Sequence, residues 1–282
     1  MRLGRVGPKG QETPVLIDSA GKPRDLSGIT SDLTAEALAE GLLDRLRVLD
    51  PESLPTLDLP DGRYGPCVAN VGKIICVGLN YTDHAAEVGL PLPAEPTIFM
   101  KGCRPTGAND PVRLPRDAAK GDWEVELGIV IGKGGMYVSE DAADEHIAGY
   151  CLFNDLTERS FQMEHGGQWT KGKSFPGFAL MGPWLVTRDE LGDPQALGIW
   201  LEVNGHRYQD GTTSNLVFGV RQIVSYLSQF YALEPGDLIV TGTPAGVGLG
   251  HKPPVFLKPG DTIRLGIDGL GEQEQQVFAW EG

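Results

Sequence analysis

No run in this 282-residue chain comes near the roughly 18 consecutive apolar residues that a helical membrane span requires. That argues against a membrane partner. The opening Met1-Arg2-Leu3-Gly4-Arg5 lacks the apolar centre of a secretory signal, so a cytoplasmic location is expected. The sequon Asn80-Tyr81-Thr82 then carries no meaning. Cysteine is scarce, and Cys67, Cys76, Cys103 and Cys151 form no C-x-x-C pair. A dithiol motif of that spacing is absent, and Cys76 and Cys151 read as buried thiols of apolar strands in a reducing compartment. Basic residues are outnumbered, 24 Lys and Arg against 38 Asp and Glu, for a formal charge of −14. This argues against nucleic acid as the main partner, because phosphate neutralisation needs basic surface. Internal repeats and low-complexity segments are also missing.

What the chain has in quantity is turn residues, 39 Gly and 21 Pro, with short apolar runs between them. That composition predicts many strands and tight turns. Residues 1–30 alternate like a small strand pair turning at Gly21-Lys22-Pro23. Residues 34–47 set Leu38, Leu42, Leu43 and Leu46 on one helical stripe. Residues 51–70, with Pro51, Pro55, Pro60 and Pro66, read as a linker. The expected organisation is a small N-terminal α+β domain with its linker over residues 1–68, and a larger domain over 69–282. The larger part opens with the strand Lys73-Ile74-Ile75-Cys76-Val77-Gly78 and a short helix. Further strands are expected around 97–100, 124–132, 149–154, 183–187, 199–204, 237–241 and 262–267. One helix, about 219–231, spaces Val220, Ile223, Val224, Leu227 and Phe230 helically and stops before Pro235-Gly236-Asp237. Strands outnumber helices without a strand–helix rhythm, so the fold class is α+β and β-rich. Gly246-Val247-Gly248-Leu249-Gly250 leads into Pro253-Pro254 rather than a helix, so it is not a dinucleotide loop.

Chemistry concentrates in Asp122-Trp123-Glu124-Val125-Glu126-Leu127-Gly128-Ile129-Val130-Ile131-Gly132. Alternation on a strand points Glu124 and Glu126 the same way, about 6–7 Å apart. Two carboxylates beside a core repel and are costly to bury, and a divalent cation is the simplest compensation. Asp155, at the end of Tyr150-Cys151-Leu152-Phe153-Asn154-Asp155, would complete an all-oxygen site. Such a site favours magnesium, with manganese or calcium as alternatives, over zinc. The other reading is a salt-bridged pair on an exposed strand face.

Four further groups carry polar function. His84 and Glu87 stand three apart on the predicted short helix, where Glu87 can orient the imidazole as a water-activating base. An exposed pair on an amphipathic turn would look the same. Arg159 and Gln162 have that spacing too, and suit a bound anion. Lys173 follows a polar glycine-rich loop and suits a carboxylate or oxyanion. Thr243 sits in a tight turn after a strand, with backbone N–H groups exposed for a carboxylate.

In order along the chain, G-L-N-Y-x-D-H-x-x-E, D-W-E-V-E-L-G, N-D-x-x-x-R-x-x-Q, G-K-S-F and T-G-T-P-x-G-V-G resemble the fumarylacetoacetate hydrolase family. The resemblance covers roughly residues 72–280. It implies a β-roll catalytic domain, a divalent metal and chemistry on β-dicarbonyl acids. Glu124, Glu126 and Asp155 match the metal ligands, and His84 with Glu87 matches the water-activating pair. Tyr81, Arg159, Gln162, Lys173 and Thr243 match positions around the substrate. The stretch Glu164–Lys173, with Gly182–Thr187 and Gly266–Gly271, is similar to a sugar-acid branch acting on 2,4-diketo-3-deoxy-L-rhamnonate or -fuconate. Ser174-Phe175-Pro176-Gly177 departs from that branch beside the lysine.

The expected function is therefore a metal-dependent hydrolase that cleaves a carbon–carbon bond of a diketo acid to give pyruvate and a hydroxy acid such as lactate. An isomerase or decarboxylase of the same fold and a non-catalytic metal-binding protein remain as alternatives. The resemblance makes a homodimer the default assembly, with a tetramer as the alternative.

Overall fold

A computed structural model describes residues 1–58 and 62–281. The chain opens with an antiparallel meander of β1 (Arg2–Val6), β2 (Thr13–Ile17) and β3 (Pro23–Asp25). The expected pair is thus a triplet, and Pro23 already belongs to its third strand. The expected helix over 34–47 is two helices, Ala35–Ala39 and Leu42–Arg47. Gly41, at φ 75°, separates them, a left-handed turn that glycine adopts without steric cost. Leu38, Leu42 and Leu46 are buried as the stripe predicts. Part of the expected linker, including Pro60, lies outside the described residues.

The remaining strands of three or more residues are, first, β4 (Ile74–Gly78), β5 (Thr97–Met100), β6 (Val125–Ile131), β7 (Ile147–Asp155), β8 (Ala179–Met181) and β9 (Leu185–Thr187). They continue with β10 (Gly198–Val203), β11 (His206–Thr212), β12 (Leu238–Val240), β13 (Thr262–Ile267) and β14 (Gly271–Phe278). The main sheet runs β3-β2-β1-β9-β7-β6-β12-β4-β5, with β8 paired to the end of β7. A second sheet runs β11-β10-β13-β14 and ends on Val112–Arg113. Pairing of Arg2 with Val186 and Leu3 with Leu185 joins β1 to β9, so strand pairing crosses the expected boundary at residues 68–69.

Apart from the end of β6 and β7 that carries Glu126, Asn154 and Asp155, the central strands are apolar because both faces are covered. On β4, Ile75 and Val77 enter the layer under the second sheet and the helix Val220–Leu227. Ile74 and Cys76 enter the opposite layer, closed by Leu38, Leu42 and Leu46. Cys76 and Cys151 are buried thiols, as expected. The helix expected to reach residue 231 ends at Leu227, and Phe230 is exposed. No helix among the described residues is long and apolar enough to cross a membrane.

Candidate active site

Strand register assembles the acids. Val125 pairs with Asn154 and Glu126 with Phe153, and the Asp155 N–H donates to the Glu124 carbonyl at 2.9 Å. Glu124, Glu126 and Asp155 therefore share one face and one end of the β6–β7 pair. Carboxylate oxygens of the three lie within 4.8 Å of one another, and all three residues are buried. Past β12 the chain turns at Gly242 (φ 98°), whose free N–H donates to Glu126 Oε2 at 2.5 Å.

Three cations surround these acids. Lys173 Nζ lies 2.5 Å from Glu124 Oε2 and 2.7 Å from Asp155 Oδ2. Arg159 pairs with Glu124 Oε1 at 2.7 Å and, through Nε, with Asp122 Oδ2 at 2.7 Å. Lys101 ion-pairs with Asp155 from within the protein and donates to the Leu156 carbonyl at 3.1 Å. Burial pushes the Glu124 carboxyl up, but the charges of Lys173 and Arg159 outweigh it and hold it at about 2. Glu126 goes the other way, well above the usual carboxylate range, because burial and the charges of Asp155 and Glu124 all raise it. Burial alone would discharge Lys173, yet Asp155 and Glu124 keep the ammonium above the usual lysine range.

His84 and Glu87 stand on the helix Thr82–Glu87, with Nδ1 3.1 Å from Oε2. The other Glu87 oxygen accepts the Gly246 N–H at 2.9 Å, which fixes the carboxylate against the turn. His84 is buried, and it lines a pocket together with Glu124, Glu126, Arg159, Gln162, Lys173 and Thr243. Gln162 accepts from Arg159 Nη1 at 3.1 Å, which leaves its amide N–H₂ as the free end.

Two expected substrate contacts sit differently. Tyr81 is fully buried just ahead of the helix and does not line the pocket, and its hydroxyl finds no partner among the described residues. The Thr243 hydroxyl is committed to the scaffold. It donates to the Val125 carbonyl at 2.9 Å and accepts from Gln209 Nε2 at 2.7 Å. Sequence reasoning missed Lys101, Gln209 and the role of Asp122, which also accepts the Gly248 N–H at 2.7 Å and the Leu249 N–H at 3.0 Å. The signal for Lys101 was present, a lysine directly after the apolar strand β5.

A hard divalent cation fits this donor set. Three clustered carboxylates offer only oxygen, and the raised Glu126 marks negative charge that the three protein cations leave uncompensated.

A family model described as fumarylacetoacetate (FAA) hydrolase C-terminal matches residues 73–278. The chain belongs to the fumarylacetoacetate hydrolase family. A relative from Burkholderia orbicola, named only as a hydrolase, is 55% identical over 279 residues, covering 98% of this chain and 99% of that one. The solved 2-hydroxyhepta-2,4-diene-1,7-dioate isomerase of Mycobacterium marinum is similar at 33% identity and TM-score 0.78, with both chains fully covered. The maleylpyruvate hydrolase of Sphingobium sp., solved with manganese(II) and pyruvate, is similar at 27% identity and TM-score 0.82, again over both whole chains. The fumarylacetoacetate hydrolase fold is β-rich α+β, as the sequence predicts. The family makes this chain an enzyme of the hydrolase or isomerase type.

Proposed function

We propose that this enzyme hydrolyses the bond between carbons 3 and 4 of a 2,4-diketo acid, releasing pyruvate and a second carboxylic acid. The observation that carries the reading is the His84–Glu87 pair on the wall of the same pocket as the acid cluster. Glu124, Glu126 and Asp155 would hold a divalent cation, magnesium or manganese, which supplies a Lewis acid for the 2-oxo acid end. With its Nδ1 proton directed at Glu87, His84 presents Nε2 as the base that takes a proton from water. The water oxygen bonds to carbon 4, and the Gln162 amide is a donor for the oxyanion that develops there, joined by Lys173 if its long 3.5 Å contact with the Asp155 carbonyl is given up. The carbon 3–carbon 4 bond then breaks, its electron pair stays on carbon 3, and His84 returns the proton to that carbon.

The motif Glu164–Lys173 and its companions favour 2,4-diketo-3-deoxy-L-rhamnonate or -fuconate as substrate, with lactate as the second product. With carbons 2 and 4 both carbonyls, the two names denote one acid, the L isomer of 5-hydroxy-2,4-dioxohexanoate. The test is pyruvate release from it and from acetylpyruvate, with magnesium and with EDTA, in the native enzyme and in His84→Ala. Metal-dependent release lost in His84→Ala supports the hydrolase. No pyruvate from either sinks it and turns attention to isomerisation or decarboxylation, the reactions that use no attacking water.

A further inference from the structure

Resting on the diketo-acid reading, we infer that the far end of the substrate carries no charge: the pocket receives an alkyl or hydroxyalkyl tail and rejects a second carboxylate. Exposure orders the pocket from floor to mouth. Glu124, Glu126 and Lys173 are 6%, 2% and 1% exposed, whereas Leu90 and Met163 are 50% and 56% exposed. Between them the wall is Val88, Trp169 and Leu249, with Val247 buried at the floor.

Among the described residues lining the pocket, both cations are spoken for at the floor. Lys173 is held by Glu124 and Asp155, and Arg159 by Glu124 and Asp122. His84 is tied to Glu87. One residue past Gln162, where a cation would reach the mouth, the chain offers Met163.

The apolar wall is also fixed in place. Trp169 meets Phe99 edge-on, 5.4 Å between ring centres. It packs on Gly78 so closely that a Cβ there would lie 2.5 Å from its ring. A distal carboxylate would lose water against this surface with no N–H⁺ to replace it, while an alkyl tail gains by the same burial. The lactate-forming sugar acids end in a methyl group and satisfy this constraint. The substrates for which the maleylpyruvate hydrolase and the heptadienedioate isomerase are named carry a second carboxylate.

The test compares two uncleavable 2-oxo acids of nearly equal length, 2-oxooctanoate and 2-oxoheptanedioate, by calorimetry on the magnesium-loaded protein. The alkyl acid is expected to bind at least about tenfold tighter, and Met163→Arg is expected to narrow that gap by strengthening the dioate. Equal or tighter binding of the dioate by the native protein overturns the inference, whatever the turnover assays give. Pyruvate release from pentanoylpyruvate is measured in parallel. Its absence counts against the diketo-acid reading and leaves the binding comparison to decide the polarity of the tail.

Discussion

His84 and Glu87 are locked together one helical turn apart, Nδ1 to Oε2 at 3.1 Å, and a backbone N–H holds the carboxylate from its other side. An imidazole so oriented can pivot little, which is what a base acting on one bound water requires.

Replacing His84 by Ala should lower kcat by about 10²–10⁴ if it is the base. Thermal unfolding should move only slightly, because the lost contact is a single hydrogen bond at a pocket wall. Steady-state pyruvate assays beside melting curves check both. An unchanged kcat would remove His84 from the chemistry.

Metal removal should abolish turnover, and Glu126→Gln should weaken manganese binding by at least about 100-fold while leaving the metal-free fold intact. The fold should tolerate the amide, because burial and the neighbouring acids already push Glu126 toward its uncharged form. Titration calorimetry with manganese, and melts in EDTA, report the two effects separately.

Gly246 sits at φ 105°, and a Cβ there would lie 1.9 Å from the Tyr208 carbonyl oxygen. Gly246→Ala should therefore cost about 3 kcal/mol or more, read from urea unfolding. Because the Gly246 N–H also holds Glu87, activity should fall further than stability alone explains.

Acid should loosen the N-terminal meander. Burial pushes the Glu12 carboxyl up, but the hydrogen bond from Arg63 and the charges of Arg5 and Arg63 outweigh it, leaving it below its ordinary 4.5. A depressed folded value means stability that is fully present above the unfolded value and is lost as pH falls through the folded one. Glu12→Gln should thus flatten the acid limb of a stability–pH curve below about pH 4.5. A limb of unchanged slope would show that Glu12 does not contribute.

Much of the site was legible because its residues break a local rule. Glu124 and Glu126 are acids in a Val- and Ile-rich strand, and His84–Glu87 repeats helical spacing. Contacts made across strands were not legible. Nothing near Thr243 in the chain announces that Gln209 will take its hydroxyl. Strand β14 escaped for a related reason: it buries Gln273, Gln275 and Val277 on one face, so its period of two has little hydrophobic contrast. Those glutamines bond the Leu152, Gly182 and Ala108 carbonyls, contacts that exist only once the sheets meet. The split of residues 34–47 was readable from Gly41, a helix-breaking residue inside the leucine stripe.

The pairing of β1 with β9 has a consequence for synthesis. At the pace of a ribosome, the first strand emerges roughly 10–40 s before the residues that dock beside it. Through that interval the Arg2–Leu3 end of its outer edge has no neighbour in the nascent chain, although the Val6 end can already meet Tyr64. The newborn polypeptide therefore passes through a stage in which Arg2, whose partners Trp184 and Glu190 are not yet made, puts a positive charge on that open edge, while Arg5 is already held by Glu12 and Asp32.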